Sequence, residues 1–361
     1  MKILAALILL VLLAAAAGAG YVWYSIEKPY GRIPSEGLYV DIPHGTSRRA
    51  VAHILKNAGV IRNSFAFEFY ARRHPKRTLE AGEYLFDHPL AGKDVFWKLA
   101  NGEVYQQPFT VREGETIFDI ARNLEAAKLM AAGDFLKAAE DPSEIKDLFP
   151  EARTLEGFLF PATYNLPRHA PAEELTEMMV RKFRDALADV LPNGSEWSDP
   201  TVSIGSVVTL ASLVERETPK PDERPLVAGV FTNRLARNMP LQCDPTVIYA
   251  LQMDDEYNGT LTLKDLRLNS PYNTYRNKGL PPGPIGNPGE VAMRAALHPA
   301  QTDYLYFVAN TQGGHFFASS LADHNKNVAK YHRLLNGEPA EPPVVEAHHT
   351  HAGGPTRKGK R

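Results

Sequence analysis

The first feature of the hydrophobic pattern is an apolar run near the amino terminus. Residues 3–24, about 22 in number, carry no charged side chain, and an α-helix needs about 20 apolar residues to cross a bilayer. The small residues at positions 14–20 also suit a cleaved signal peptide. Tyr21, Trp23 and Tyr24 end the run, and because such aromatics suit a membrane interface, they favour an uncleaved anchor. Under either interpretation the rest of the chain is exported.

A strand, a glycine turn and an amphipathic helix are predicted twice, at an offset of 69 residues. Residues 42–55 align with residues 111–124. In the second copy Thr116 and Asp119 stand at the spacing of a capping box, so the helix is predicted to begin there. Residues 109–121 resemble the opening of a LysM peptidoglycan-binding module. An unrelated α/β packing unit is the alternative interpretation.

The remaining pattern predicts several helices within an α+β fold. Apolar residues recur with helical spacing at 64–73, 95–99 and 172–190, and a short strand is predicted at 82–86. Residues 200–218 are apolar over most of a helix circumference, which predicts a buried helix.

These elements predict four regions along the chain. They are an anchor at 1–27, a small LysM-like α/β domain with two related units at 37–149, a larger α+β catalytic domain at 150–335 and a disordered tail at 336–361. The tail is rich in proline and histidine and ends in a basic run, a composition that buries too little apolar surface to fold.

The charge balance narrows the expected partners and cofactors. The formal net charge is −2, from 40 basic and 42 acidic residues, so nucleic acid is not an expected partner. Cys243 is the single cysteine, which excludes an intramolecular disulfide and a multi-cysteine zinc site, and we predict that it is buried. His315 and His324 lack the spacing of metal ligands on one helix face. We therefore predict no metal and no cofactor.

Two glutamates near the end of the predicted buried helix are candidates for acid–base chemistry. Pro219 disfavours helical geometry at Thr218, so the helix should end there. Glu215 and Glu217 then lie in the last turn, where the helix dipole and apolar neighbours both disfavour a charged carboxylate and raise its pKa. A raised pKa suits a general acid at neutral pH. The helical pattern alone does not separate the two residues.

Blocks rich in polar and turn residues follow one another from residue 155 to residue 325. In order they include E-G-F-L-F-P at 156–161, A-S-L-V-E-R-E-T-P at 211–219, L-Q-C-D-P-T-V-I-Y at 241–249, S-P-Y-N-T-Y at 270–275, G-L-P-P-G-P-I at 279–285 and A-L-H-P at 296–299. Together they resemble the MltG (YceG-like) family of endolytic murein transglycosylases, from the anchor to about residue 335. Ala162 departs from the acidic residue usual beside the first block.

The resemblance implies a lytic reaction with Glu217 as the catalytic residue. Glu217 would protonate the oxygen between N-acetylmuramic acid and N-acetylglucosamine, then take the proton of the muramoyl 6-hydroxyl as a 1,6-anhydro ring closes. Glu215 is predicted to orient the acid or to pair with Arg216 or Arg234, and Thr218 and Arg234 are further candidates for orienting it.

The resemblance also implies partners and a location. The partners are nascent peptidoglycan glycan strands, whose elongation the enzyme would end, and glycan synthases of the envelope. The location is the inner membrane, with one span and a periplasmic catalytic domain.

Aromatic and amide side chains in the same blocks are predicted to bind sugar. Rings stack on sugar faces, and amides hydrogen-bond acetamido and hydroxyl groups. Glu156 matches the first block of the family, where a structural ion pair is the other interpretation. The predicted substrate-binding residues are Glu156, Tyr164, Asn233, Gln242, Asp244, Tyr249, Tyr272, Asn273 and Tyr275.

Two other functions remain open from the residues themselves. Asp244 would be the second carboxylate that a muramidase using water needs beside Glu217. Its alternative role is to cap the turn before Pro245. The third function is a membrane-tethered glycan-binding protein that acts through the LysM-like unit without catalysis.

Overall fold

The structure is a computed structural model that describes residues 2–191 and 203–337. Nearly all of the predicted tail, from residue 338 onward, and the predicted helix start at residue 200 lie outside the described residues.

The chain forms two compact units. The first unit comprises the residues up to 109 together with 163–170, and the second comprises 110–162 together with the residues from 171 onward. The contacts thus divide the chain between residues 109 and 110. As a result, the helix of the second predicted copy belongs with the carboxy-terminal residues, whereas the first copy lies in the first unit.

The first unit begins with the apolar helix and continues as a small assembly of helices and strands. Its elements are α1 (Lys2–Glu27), β1 (Leu38–Ile42), α2 (Arg48–Asn57), α3 (Ser64–Arg72), β2 (Gly82–Phe86), α4 (Gly92–Ala100), β3 (Gln107–Thr110, which ends at the unit boundary) and β4 (Thr163–Leu166). β1 and β2 are antiparallel, with Leu38 opposite Phe86, and β3 pairs with β4. Val40, Ile42 and Phe96 are part of the buried core between the β1–β2 pair and the helices.

The second unit is mainly helical and carries one further strand pair. Its elements are α5 (Ile117–Ala126), α6 (Ala132–Ala139), α7 (Ala172–Val190), α8 (Ile204–Glu217), α9 (Arg224–Ala236), α10 (Asp244–Met253), α11 (Glu290–Leu297), β5 (Tyr306–Ala309), β6 (His315–Ala318) and α12 (Leu321–Leu335). β5 and β6 are antiparallel. α8 packs against α9, α10 and α11, so it is the central helix of this unit.

The repeated strand–turn–helix pattern is confirmed in both copies. Gly45 and Gly114 have φ angles of 76° and 79°, a left-handed conformation that a residue with a Cβ adopts only under strain. In the second copy the Thr116 hydroxyl accepts a hydrogen bond from the Asp119 amide, and the Asp119 carboxylate accepts one from the Thr116 amide. This is the predicted capping box, and α5 begins at Ile117.

Candidate active site

The end of α8 determines where the two glutamates lie. The helix begins after Ser203, whose hydroxyl accepts a hydrogen bond from the Ser206 amide. It ends at Glu217 because Thr218 is extended, with φ −137° and ψ 127°, as expected for a residue before proline. The helix is buried along nearly its whole length, so its last turn holds carboxyl groups against an apolar core.

Glu217 lies in an open cleft of the second unit. The cleft has a volume of about 460 Å³, which is within the range of small-molecule and sugar sites. Its walls come from the ends of α8 and α10, from β5 and from α12. The polar and aromatic side chains that line it are Glu217, Arg234, Gln242, Asp244, Tyr275, Tyr306, His315 and His324.

The pKa of Glu217 is close to neutral. Burial raises it from its usual value to about 7, and the negative charge of Asp244 acts in the same direction. A hydrogen bond from the Cys243 thiol and the charge of Arg234 act against the increase. Around neutral pH the carboxyl group is therefore available in both protonation states, as an acid that later becomes a base requires.

Glu215 occupies a different environment although it is only two residues away. Its side chain is 4% exposed and forms an ion pair with Arg224, which is 5% exposed. Its second oxygen accepts a hydrogen bond of 3.0 Å from the Gly289 amide. Arg224 also bonds the Glu113 carboxylate at 3.1 Å. With both oxygens engaged inside the protein, Glu215 has a structural role, and Glu217 is the glutamate that faces the cleft.

The predicted partners of Glu215 were wrong. Arg216 donates to the Gly114 carbonyl at 2.8 Å. Arg234 donates to the Leu305 carbonyl at 2.6 Å. Arg224 takes the place of both, because α9 begins at this residue and packs directly on α8.

Arg234 links the cleft wall to the loops around it. Besides the Leu305 carbonyl, its guanidinium bonds the Leu241 carbonyl at 2.8 Å and lies over the Tyr306 ring at 5.3 Å. These bonds hold a buried cation near Glu217, close enough to lower the pKa of that carboxyl. Arg234 therefore fixes the loops that form this wall of the cleft beside Glu217.

Asp244 stands across the same cleft, at the first position of α10. Its carboxylate accepts a hydrogen bond of 2.5 Å from the Tyr275 hydroxyl, and burial raises the pKa of that tyrosine. The predicted turn-capping role of Asp244 is wrong, because the N-cap position belongs to Cys243 and no side chain caps the helix.

Three other residues that were predicted to bind sugar line a second cavity of the same unit. It measures about 370 Å³, and its lining includes Glu156, Tyr249 and Tyr272. The two tyrosine rings lie 5.0 Å apart. Glu156 accepts hydrogen bonds from the Ile117 amide at 3.0 Å and from the Asn287 amide group at 3.1 Å. Burial raises the pKa of Glu156 to about 8, although bonds from Ile117 and Tyr249 lower it.

Several predicted substrate contacts are instead held inside the protein. The Asn233 amide donates to the Thr302 and Tyr304 carbonyls at 2.7 and 2.9 Å. Asn273 is fully buried and donates to the Leu268 carbonyl at 2.8 Å. Both amides hydrogen-bond carbonyls of loops that are distant in sequence or irregular, which a sequence pattern does not reveal.

Tyr164 and Thr218 are not among the residues that line the two cavities. Tyr164 is 2% exposed in β4 of the first unit. The Thr218 hydroxyl accepts a hydrogen bond of 3.2 Å from the Lys220 amide, so it stabilises the turn after α8.

Four residues of the site were missed as functional candidates. Cys243 is buried as predicted, and it also contacts Glu217. The other three, Tyr306, His315 and His324, line the cleft. The His324 ring stacks on the Tyr306 ring, with 5.2 Å between the ring centres, and a ring nitrogen of His315 lies 2.7 Å from the Glu223 carboxylate. For Cys243 the sequence did contain a signal, because this residue directly precedes Asp244 in the block at 241–249.

Comparison with known proteins identifies the family of the chain. The model of the YceG-like family matches residues 40–330. A Bacillus subtilis protein named endolytic murein transglycosylase is 35% identical over 87% of this chain and 90% of its own length. A Streptococcus pneumoniae protein of the same name is 30% identical over 89% of this chain, which spans 64% of that protein.

A solved structure is similar over most of the chain. The crystal structure of a yceG-like protein from Listeria monocytogenes is 36% identical, with a TM-score of 0.54 over 81% of this chain and 99% of the other. The chain belongs to the YceG-like family.

Proposed function

We propose that the protein is an endolytic peptidoglycan lytic transglycosylase in which Glu217 is both acid and base. The observation that carries this proposal is a carboxyl group at the end of a buried helix, facing an open cleft, with a pKa of about 7. The names of the similar proteins support the same activity.

The proposed reaction needs two proton transfers at one carboxyl group, in which Glu217 gives up one proton and then takes another. Protonated Glu217 donates to the glycosidic oxygen as the bond from that oxygen to C1 of N-acetylmuramic acid breaks, and positive charge develops at C1. The resulting carboxylate then removes the proton of the 6-hydroxyl on the same sugar as its oxygen bonds to C1. Glu217 ends protonated, ready for another cycle, and no water is consumed. Because the sugar supplies the nucleophile, no second catalytic carboxylate is required.

The hydrolytic alternative is less well supported. A retaining or inverting hydrolase needs a second carboxylate as nucleophile or base, and Asp244 is the candidate in this cleft. Its carboxylate is held by the Tyr275 hydroxyl at 2.5 Å, and the names of the relatives describe transglycosylases. We therefore assign Asp244, with Gln242 and Tyr275, to sugar binding beside the bond that is cut.

We further propose that the glycan strand extends from the cleft to the second cavity. α10 supports this path because Asp244, at its start, lines the cleft, and Tyr249, five residues on, lines the second cavity. A helix of ten residues is about 15 Å long. Sugars on both sides of the cut bond would let the enzyme act within a strand. The half-buried Tyr272 ring offers aromatic surface for them, whereas Tyr249 is 3% exposed and packs beside that ring.

We propose that α1 is a retained membrane anchor, with the second unit on the periplasmic side. The helix has 26 residues and is apolar enough to span a bilayer. Its last turn is part of the first unit, since Ser25 and Ile26 are buried and Glu27 pairs with Lys93 at 2.5 Å. Signal cleavage within residues 14–20 would leave this packed turn attached to a short, unsupported stub. We also propose that glycan synthases of the envelope are partners.

The product distinguishes the two chemistries. Purified glycan strands digested with the full chain should yield fragments that end in 1,6-anhydro-N-acetylmuramic acid, each one water lighter than a hydrolysed fragment. Mass spectrometry before and after borohydride reduction measures this directly, because only hydrolysed ends are reduced. Exclusively reducible ends would establish a muramidase instead.

A further inference from the structure

Two aromatic side chains of α3 are exposed beside the membrane anchor. Phe65 and Phe69 are 66% and 46% exposed, and their rings lie 6.5 Å apart. They line one apolar groove of about 490 Å³ together with Val22 and Trp23 of α1. Contiguous exposed apolar surface of this kind marks a binding site for a membrane or a partner.

The exposure follows from the arrangement of α3. Ala66, Phe67 and Ala71 face inward and are fully buried. Phe65 and Phe69 are four residues apart and therefore share another face of the helix. The helix is thus apolar on a second side that nothing in the described part of the first unit covers.

A basic cluster follows the exposed rings. Arg72, Arg73, Lys76 and Arg77 are all exposed. Arg72 pairs with Glu68 at 2.6 Å, and the Arg73 guanidinium lies 5.5 Å from the centre of the Phe69 ring. The four cations lie within six consecutive residues, a density typical of segments that bind anionic lipid headgroups.

The groove indicates how deep Phe65 and Phe69 would lie relative to a bilayer that α1 spans. Tyr21, Trp23 and Tyr24 close the apolar run of α1 and are all exposed, as in the aromatic belt where a span leaves the hydrocarbon. Because Trp23 lines the same groove as Phe65 and Phe69, the α3 rings stand at the level of that belt.

We infer that the surface formed by Phe65 and Phe69 of α3 and by the basic residues of the segment 72–77 at its end rests on the lipid bilayer that holds α1. The rings enter the interfacial zone, and the cations bind the headgroups of anionic phospholipids. Each cation near such a surface contributes about 1 kcal/mol. The inference rests on the proposed anchor, and it gives the first unit a second attachment that fixes its orientation on the membrane.

The test uses the full chain in vesicles of phosphatidylcholine with or without phosphatidylglycerol. An environment-sensitive fluorophore is attached at Phe69→Cys or, as the matched control, at Lys56→Cys on α2, which is exposed and outside the groove. The native Cys243 is buried, so the label is expected to react with the introduced cysteine. In the vesicles with phosphatidylglycerol, iodide should quench the probe at position 69 several-fold less than the probe at 56. Lipids that carry a nitroxide near the headgroup should quench only the probe at 69.

Charge-reversal variants test headgroup binding by the cations separately from insertion of the aromatic rings. Arg73→Glu with Lys76→Glu should remove most of the lipid quenching at position 69, as should 1 M salt, where the Debye length is about 3 Å. If lipid quenching at position 69 is the same with and without phosphatidylglycerol, in high salt and after charge reversal, the proposed binding to anionic headgroups is wrong. If the probe at position 69 is shielded from iodide but is not quenched by lipid, a protein covers this surface. If iodide quenches the probes at 69 and 56 equally, nothing covers it. Either result overturns the inference. Flotation of the vesicles at alkaline pH tests the proposed anchor separately. A chain that does not float with the vesicles lacks the α1 anchor, and the proposed function of α1 then fails independently of the inference about α3.

Discussion

The Cys243 thiol donates a hydrogen bond to the Glu217 carboxyl. Burial raises the pKa of Cys243 well above its usual value, so the thiol stays protonated and remains a donor. Cys243 is the N-cap residue of α10, and Glu217 is the last residue of α8. The residues at these two helix ends therefore determine together the pKa of the carboxyl group that we propose is catalytic.

Removal of this thiol should shift the pH dependence of the enzyme. The hydrogen bond lowers the pKa of Glu217, so Cys243→Ala should raise that pKa and move the alkaline limb of the kcat/KM profile to higher pH. Cys243→Ser keeps a donor and should leave the limb near its wild-type position. An alanine variant with an unshifted limb would show that the thiol does not tune the acid.

The wild-type profile should lose activity as the pH rises through about 7. The first step needs protonated Glu217, whose pKa burial raises to about 7, so the acid is lost above that pH. The charge of Asp244 contributes to the increase, and Asp244→Asn should therefore move the limb to lower pH, opposite to Cys243→Ala. The measurement is initial rate against pH on one glycan preparation. A limb that moves upward in Asp244→Asn would contradict this electrostatic account.

The buried ion pair of Glu215 should matter for stability more than for chemistry. Glu215→Gln leaves Arg224, which is 5% exposed, beside a neutral amide, and breaking a buried pair costs about 3 kcal/mol. Glu290→Gln is the matched control, because its pair with Arg294 is exposed and joins residues four apart on one helix, where a pair contributes about 0.5 kcal/mol. Denaturant unfolding measures both variants. Equal losses would show that the Glu215 pair is not a structural support.

The sequence predicted the part of the site that depends on local geometry. The end of α8 could be foreseen because Pro219 acts on its immediate neighbour, and the capping box of α5 could be foreseen because Thr116 and Asp119 are three residues apart. The choice of Glu217 over Glu215 came from the family resemblance, and the structure supplies a physical reason for it in the Glu215–Arg224 pair.

Contacts between distant segments could not be predicted in this way. Asn233 and Asn273 have the chemistry of sugar ligands, yet their amides bond loop carbonyls whose positions depend on the whole second unit. His315 and His324 share a wall of the cleft only because β5, β6 and α12 fold together. The grouping of residues 110–162 with the carboxy-terminal residues is likewise a property of tertiary contacts.

The most direct test of the central claim is the rate at which a Glu217→Gln variant forms 1,6-anhydro ends. Glutamine keeps the size of the side chain but neither donates nor recovers the proton, so we expect the rate to fall by about 10²–10⁴-fold, with an unchanged unfolding midpoint, while Asp244→Asn still forms anhydro ends. Anhydro ends released by Glu217→Gln at the wild-type rate would contradict the account, and the catalytic group would then have to be another residue.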